Sequence, residues 1–178
     1  MGRPIDAAEF EELYSATVRD VLAYLRRRTS MEADDLAAEV YAVAWRRRSD
    51  LPAPTFRRAW LFGVARTLLK ADVRRRRDDR ELAGELAARP GQPGGPAGPD
   101  RTAPVVAAAL DRLTPGDREV LRLVAWEGLT PGELAVALGV RPGTARVRLH
   151  RARQALASDP DVRALVEEPE PSVRSVSG

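Results

Sequence analysis

Apolar residues recur along this chain at three- and four-residue intervals, and stretches of strict alternation are nearly absent, so the pattern predicts helices and no sheet. Asp6 and Glu9 form a capping pair that opens a first helix. Its stripe is Phe10, Leu13, Tyr14, Thr17, Val18, Val21, Leu22 and Leu25, and it closes on Arg26 to Arg28, cations suited to a helix C-terminus. A second helix is predicted from Glu32 to Arg48, with Glu32, Asp34 and Asp35 in its first turn and arginines in its last. Beyond the proline-bearing loop 50–55, a third runs from Phe56 to Arg77 with Trp60, Leu61, Val64, Ala65, Leu68 and Leu69 on its apolar side. Three such stripes can share one core.

The pattern then breaks. RPGQPGGPAGPD, Arg89 to Asp100, holds too much proline and glycine for any regular element and reads as a tether that leaves the flanking lobes without one fixed orientation. A second lobe follows, its helix starts written in a repeated phrase: Thr114-Pro-Gly-Asp117, Thr130-Pro-Gly-Glu133 and the variant Arg141-Pro-Gly-Thr144. The first two pair a capping threonine with an acid three residues on, and the third lacks the side-chain cap, a loss of about 1 kcal/mol. Thr130 to Leu156 predicts a short helix with apolar Leu134, Ala135 and Leu138, a left-handed turn at Gly139 plugged by Val140, and a second helix from Pro142. This is the outline of a helix-turn-helix. On rotation, Ala145, Leu149, Ala152 and Leu156 form a core stripe. Arg146, Val147, His150, Arg151 and Gln154 lie opposite, with Arg148 and Arg153 on the flanks. Arginine suits both tasks of such a helix, reading guanine in the groove and pairing with phosphate at its edges. The competing reading is a solvated basic amphipathic helix in some other bundle.

Charge sharpens this picture. The net charge is +3 and the pI near 9.9, which suits a polyanionic partner. Arg141 to Arg153 holds five arginines and no acid. There is no cysteine, which excludes disulfides, zinc knuckles and thiol catalysis. No apolar run approaches a membrane span and the N-terminus lacks a signal-peptide layout, so the expectation is a soluble, cytoplasmic protein with no membrane insertion. Asp35 with Glu39 is the one tidy carboxylate pair, without a third ligand, and His150 lies among arginines. No catalytic constellation, cofactor site, metal site or small-molecule substrate is expected.

DDLAAEVYAVAWRR (Asp34 to Arg47), AWLFGVARTLLKADVRRRR (Ala59 to Arg77) and LTPGDREVLRLVAWEGLTPGELAVALGVRPGTARVRLHRAR (Leu113 to Arg153) stand in an order and spacing that resembles a bacterial RNA polymerase sigma factor of the extracytoplasmic-function class. The resemblance covers about Phe10 to Leu156. It implies an all-α chain of two small helical domains joined by a flexible linker: a region 2-like domain over 6–84, a linker over 85–102, a region 4-like helix-turn-helix domain over 103–158, and a disordered tail over 159–178. It implies core RNA polymerase and promoter DNA as partners, with an anti-sigma factor as a further candidate.

The resemblance also implies roles. Asp35, Leu36, Glu39 and Val40 would dock on the polymerase clamp helices, with Ala38 where the family usually has glutamine. Opening of the downstream (minus-ten) element would fall to the rings of Trp60 and Phe62, to Thr67, and to the charges of Arg57, Arg58, Arg66, Lys70, Arg74, Arg75, Arg76 and Arg77. Thr67 stands where asparagine is frequent, and Trp60 is equally readable as plain core. The upstream (minus-thirty-five) element would be met by Arg141, Thr144, Arg146, Val147, Arg148, His150, Arg151 and Arg153, with Val147 in place of the usual serine and able to touch a thymine methyl. The alternative is a helix-turn-helix regulator acting independently of core polymerase; it has no need of the basic-aromatic third helix.

Overall fold

The computed structural model describes residues 4–29, 33–82 and 102–167 and places eight helices among them, with no strand. They are α1 (Ala7–Arg26), α2 (Ala33–Arg46), α3 (Pro54–Leu82), α4 (Thr102–Arg112), α5 (Pro115–Ala125), α6 (Pro131–Leu138), α7 (Pro142–Ala157) and α8 (Pro160–Glu167). The capping signals are realised. Asp6 and Glu9 form a reciprocal capping box on α1, Thr130 and Glu133 another on α6, and Thr114 caps α5. Arg141 makes no side-chain cap bond at the start of α7. Gly139 has φ +65°, the left-handed conformation that ends α6 and sets the angle to α7.

Helices α1, α2 and α3 pack as the first lobe around Val21, Tyr24, Leu25, Val40, Leu61 and Phe62. Toward its outer end Phe10 meets Trp45 edge-on at 5.1 Å, and Thr17 bonds the Tyr41 hydroxyl at 2.9 Å. Helices α5, α6 and α7 form the second lobe around Val120, Leu123, Leu134, Ala145 and Leu149.

One expectation is corrected and one contact was not foreseen. In the structure α6 lies directly on α3, and buried residues of both lobes form one continuous core. The physical reason is the composition of α6. Leu134, Ala135, Ala137 and Leu138 are buried and Val136 is half-buried, so α6 is apolar around more of its circumference than one lobe's core would cover. Gly63 makes the close approach feasible, because a Cβ there would stand 2.9 Å from the Ala137 carbonyl oxygen. The tether 89–100 itself lies outside the described residues.

The correction is at 160–167, which is helical and not a disordered tail. Asp159 accepts from the backbone N–H groups of Asp161 and Val162, Pro160 sits at the helix start, and Arg112 bonds the Asp159 carboxylate through Nε and Nη2, both at 2.8 Å. That pairing ties α8 to α4. Residues 168–178 lie outside the described residues. Among the described residues, no helix is long and apolar enough to cross a membrane.

Candidate nucleic-acid interface

The recognition helix α7 divides as its rotation predicts. Ala145, Leu149 and Ala152 are buried, and Leu156 is half-buried against the core. Arg141, Thr144, Arg146, Val147, Arg148, His150, Arg151 and Arg153 are all exposed. The six cationic or imidazole side chains among them make no hydrogen bond or ion pair with other described residues. Val147 is 58 % exposed, an apolar spot in the middle of a cationic face. A base methyl could cover it.

Helix α3 is less uniform than its sequence suggests. Phe62, expected to offer its ring to a base, is fully buried, the ring 5.2 Å from that of Tyr24 on α1. Arg58 is engaged within the molecule, bonding Asp20 at 2.6 Å and the Glu127 carbonyl at 2.9 Å. Arg66 donates to the Leu138 carbonyl at 3.2 Å. Arg75 and Arg76 both hold the buried carboxylate of Asp72, and Arg77 pairs with Glu81. Arg57 lies half-buried beside the Pro52 carbonyl. Lys70 and Arg74 are exposed and make no ion pair with described residues, and Thr67 is exposed with its hydroxyl turned back to the Gly63 carbonyl. Trp60 is neither core nor free: half-buried, it lies under Arg47 at 5.6 Å. With Arg66, Thr67, Val136 and Gly139 it lines a cavity of about 350 Å³ between α3 and α6.

On α2, Asp35 and Glu39 are exposed one turn apart, as the acidic ridge requires. Leu36 and Val40, expected beside them on the docking face, are instead in the core, Val40 completely. Their period places them on the inward stripe, beneath the exposed Asp35 and Glu39. Asp34 pairs with Arg26 at 3.1 Å, a structural role at the start of the helix.

The densest polar cluster lies elsewhere, between the lobes, and the sequence reading missed it. Arg27 and Arg28, which close α1, do more than balance its dipole. Arg27 bonds Glu127 at 2.6 Å; Arg28 bonds Glu127 at 3.1 Å and Glu119 at 3.0 Å. Tyr24 donates its hydroxyl to Glu119 at 2.8 Å, and the Arg28 guanidinium lies 3.7 Å from the Tyr24 ring centre. Burial and the adjacent Glu119 carboxylate hold the Tyr24 phenol well above its ordinary pKa, so it remains a donor. The Glu127 side chain is 2 % exposed. It stands in the short α5–α6 loop, turned by Gly128 at φ +66°. Removing one partner of such a buried pair costs about 3–5 kcal/mol, because the other charge is stranded. The signal available in the sequence was the acid of Trp126-Glu127-Gly128 amid apolar neighbours, but its partners are about a hundred residues away.

The geometry thus defines a class: a two-lobed protein, all-helical among the described residues, with a helix-turn-helix whose outer helix presents a cationic face and an exposed acidic pair on α2. The Sigma-70, region 4 family pattern matches residues 105–156. The ECF RNA polymerase sigma factor SigL of Mycobacterium tuberculosis is 32 % identical over 165 residues, which cover 85 % of this chain and 88 % of that protein. EcfG of Rhodopseudomonas palustris, another ECF sigma factor, is 33 % identical over 135 residues, 71 % of this chain and 70 % of its own. Among solved structures, the sigma factor RpoE of Bartonella quintana, in complex with the anti-sigma factor NepR, has the same fold with a TM-score of 0.63 at 21 % identity, over 90 % of this chain and 99 % of that one. CnrH, in complex with the cytosolic domain of CnrY, gives 0.57 at 26 % identity, over 90 % and 89 %. The chain belongs to the extracytoplasmic-function class of RNA polymerase sigma factors. It binds core polymerase, recognises promoter DNA and enables transcription initiation; the reading as an independent regulator is not favoured.

Proposed function

We propose that the three faces divide the work of initiation. Helix α7 reads the upstream element, with Arg146, Val147, His150 and Arg151 toward base edges and Arg141, Thr144, Arg148 and Arg153 toward phosphates. Helix α3 captures the melted downstream strand through Trp60, Thr67, Lys70 and Arg74, joined by Arg57, Arg66 and the Arg75–Arg77 cluster when their internal pairings exchange for phosphate. The Asp35–Glu39 ridge docks on polymerase arginines. The observation that carries this reading is the outward face of α7, cationic, unpaired among the described residues and backed by the buried Ala145, Leu149 and Ala152. The protein acts in the cytoplasm, where polymerase and DNA are, and performs no catalysis of its own. Because RpoE and CnrH are seen with NepR and with CnrY, an anti-sigma factor is a proposed partner here as well.

Reconstituted transcription tests the whole. This protein, core polymerase and genomic DNA should give a discrete set of mapped start sites; initiation indistinguishable from core polymerase alone would reject it. Charge reversal of Asp35 and Glu39 together should weaken core binding with helical content unchanged. Equal core affinity in that double variant removes the docking assignment.

A further inference from the structure

Helix α3 hides a carboxylate in the segment assigned to the melted strand. Leu61, Ala65, Leu68 and Asp72 recur at the spacing of a single helical stripe. Leu61 and Ala65 are fully buried and Leu68 packs against the core, so the fourth position calls for an apolar residue. Asp72 stands there instead, its side chain 8 % exposed. A buried carboxylate needs cations, and Asp72 takes them from the run that follows it. Arg75 donates Nη2 to Oδ1 at 2.6 Å, and Arg76 donates Nε to Oδ2 at 2.7 Å. Each oxygen holds one guanidinium, as the oxygens of a phosphate do when two arginines bracket it. Lys70 and Arg74, both exposed, lie roughly 160° around the helix from Asp72.

We propose that Asp72 is an internal substitute for a DNA phosphate: it occupies Arg75 and Arg76, competes with the melted strand for them, and so sets how tightly the downstream element is held. Lys70 and Arg74 make the first contacts, and Arg75 and Arg76 follow only where a phosphate displaces the carboxylate. The exposures favour exchange over permanent pairing. The Arg75 side chain is 70 % exposed and that of Arg76 35 %, so a strand can reach both guanidinium groups while the carboxylate lies beneath them. Retention and release then draw on the same two side chains. DNA takes them during opening, and Asp72 takes them back when the strand leaves. Asp72 is a positioning residue, since it acts through the arginines without touching DNA. This inference rests on α3 being the strand-capturing face.

The test uses holoenzyme assembled from the full chain and core polymerase. Its probe is a single-stranded oligonucleotide with the non-template sequence of a downstream element mapped for this protein. Asp72→Asn keeps the shape and removes the charge. It should tighten strand binding roughly tenfold, because two ion pairs at the surface no longer compete. The salt dependence should steepen as well. Two added phosphate contacts, at about 0.7 each for a single strand, raise the slope of log affinity against log salt by about 1.4. Asp72→Glu, which keeps a carboxylate, should return both quantities toward those of the unmodified chain. Arg75→Gln with Arg76→Gln, added to Asp72→Asn, should abolish the gain. Asp72→Ser removes the charge by a second route should the amide lower helical content. An unchanged or flatter salt slope in both Asp72→Asn and Asp72→Ser overturns the proposal. Lys70→Ala and Arg74→Ala separate that failure from failure of the underlying reading, since each should weaken strand binding. If neither does, α3 is not the strand face and the inference falls with it. If both do while Asp72→Asn changes nothing, the competition alone is wrong.

Discussion

At the scale of single residues, burial and charge pairing separate the side chains that can meet DNA from those that only resemble them. Phe62 and Trp60 are two positions apart in one aromatic motif, yet one is sealed against Tyr24 and the other borders an open cavity. Trp60→Ala should therefore reduce promoter opening with a small effect on folding, whereas Phe62→Ala should destabilise the first lobe by about 3–5 kcal/mol. Thermal denaturation beside a strand-opening assay tells the two apart. On α7 exposure alone does not distinguish reader from anchor, because all the named cations are exposed; rotation about the Ala145–Leu149–Ala152 stripe does. Arg146→Ala should relax base choice at one upstream position, a bidentate guanine contact being worth about 1–3 kcal/mol of discrimination. Arg148→Ala should weaken all sequences alike and flatten the salt dependence. Binding of promoter variants at two salt concentrations makes the comparison, and the opposite pattern would mean that the helix docks in a different rotation.

At the scale of elements, two helix ends carry testable consequences. Helix α7 starts without a side-chain cap, whereas α5 and α6 each have a threonine. Arg141→Ser should supply the missing bond and stabilise the second lobe by roughly 1 kcal/mol, while reducing upstream affinity if the arginine meets phosphate. A chemical-denaturation curve and a duplex titration of the same variant read both effects. Helix α8 depends on the Arg112–Asp159 pairing and on the Asp159 cap. Asp159→Ala should remove both, so hydrogen exchange across 160–167 should accelerate with protection of α5 to α7 unchanged. Retained protection of α8 would show that its contacts with α4 suffice.

At the scale of the whole molecule, the interlobe interface predicts that covalent continuity between the lobes is dispensable to their docking. A protease site inserted among the glycines and prolines of 89–100 should yield, after cleavage, two halves that co-elute in gel filtration. The same cleavage of the Glu127→Gln chain should yield halves that part more readily. Immediate separation of the unmodified halves would mean that the docked arrangement needs the tether's effective concentration. Gly63 belongs to this scale as well. In an isolated helix, replacing it with alanine should add about 0.5–1 kcal/mol, so a net loss of stability in the intact chain measures how firmly the lobes are docked.

Local chemistry sufficed for much of this protein. Capping pairs, apolar stripes, the left-handed glycine and the arginine-bearing face of α7 act within a few residues of one another, so they specify helices, the helix-turn-helix and the exposed cationic face directly from sequence. Leu36, Val40 and Phe62 are buried where the motifs suggested a contact face, because a motif records residue type while burial depends on which neighbour a face meets. The extra helix α8 escaped notice because its anchor, Arg112, is 47 residues from Asp159. Only the tertiary structure decided that α6 lies against α3 and that Arg27 and Arg28 close on Glu127. Those contacts join residues 72 to 100 positions apart, and no periodicity along the chain can encode which distant partner a buried charge will find.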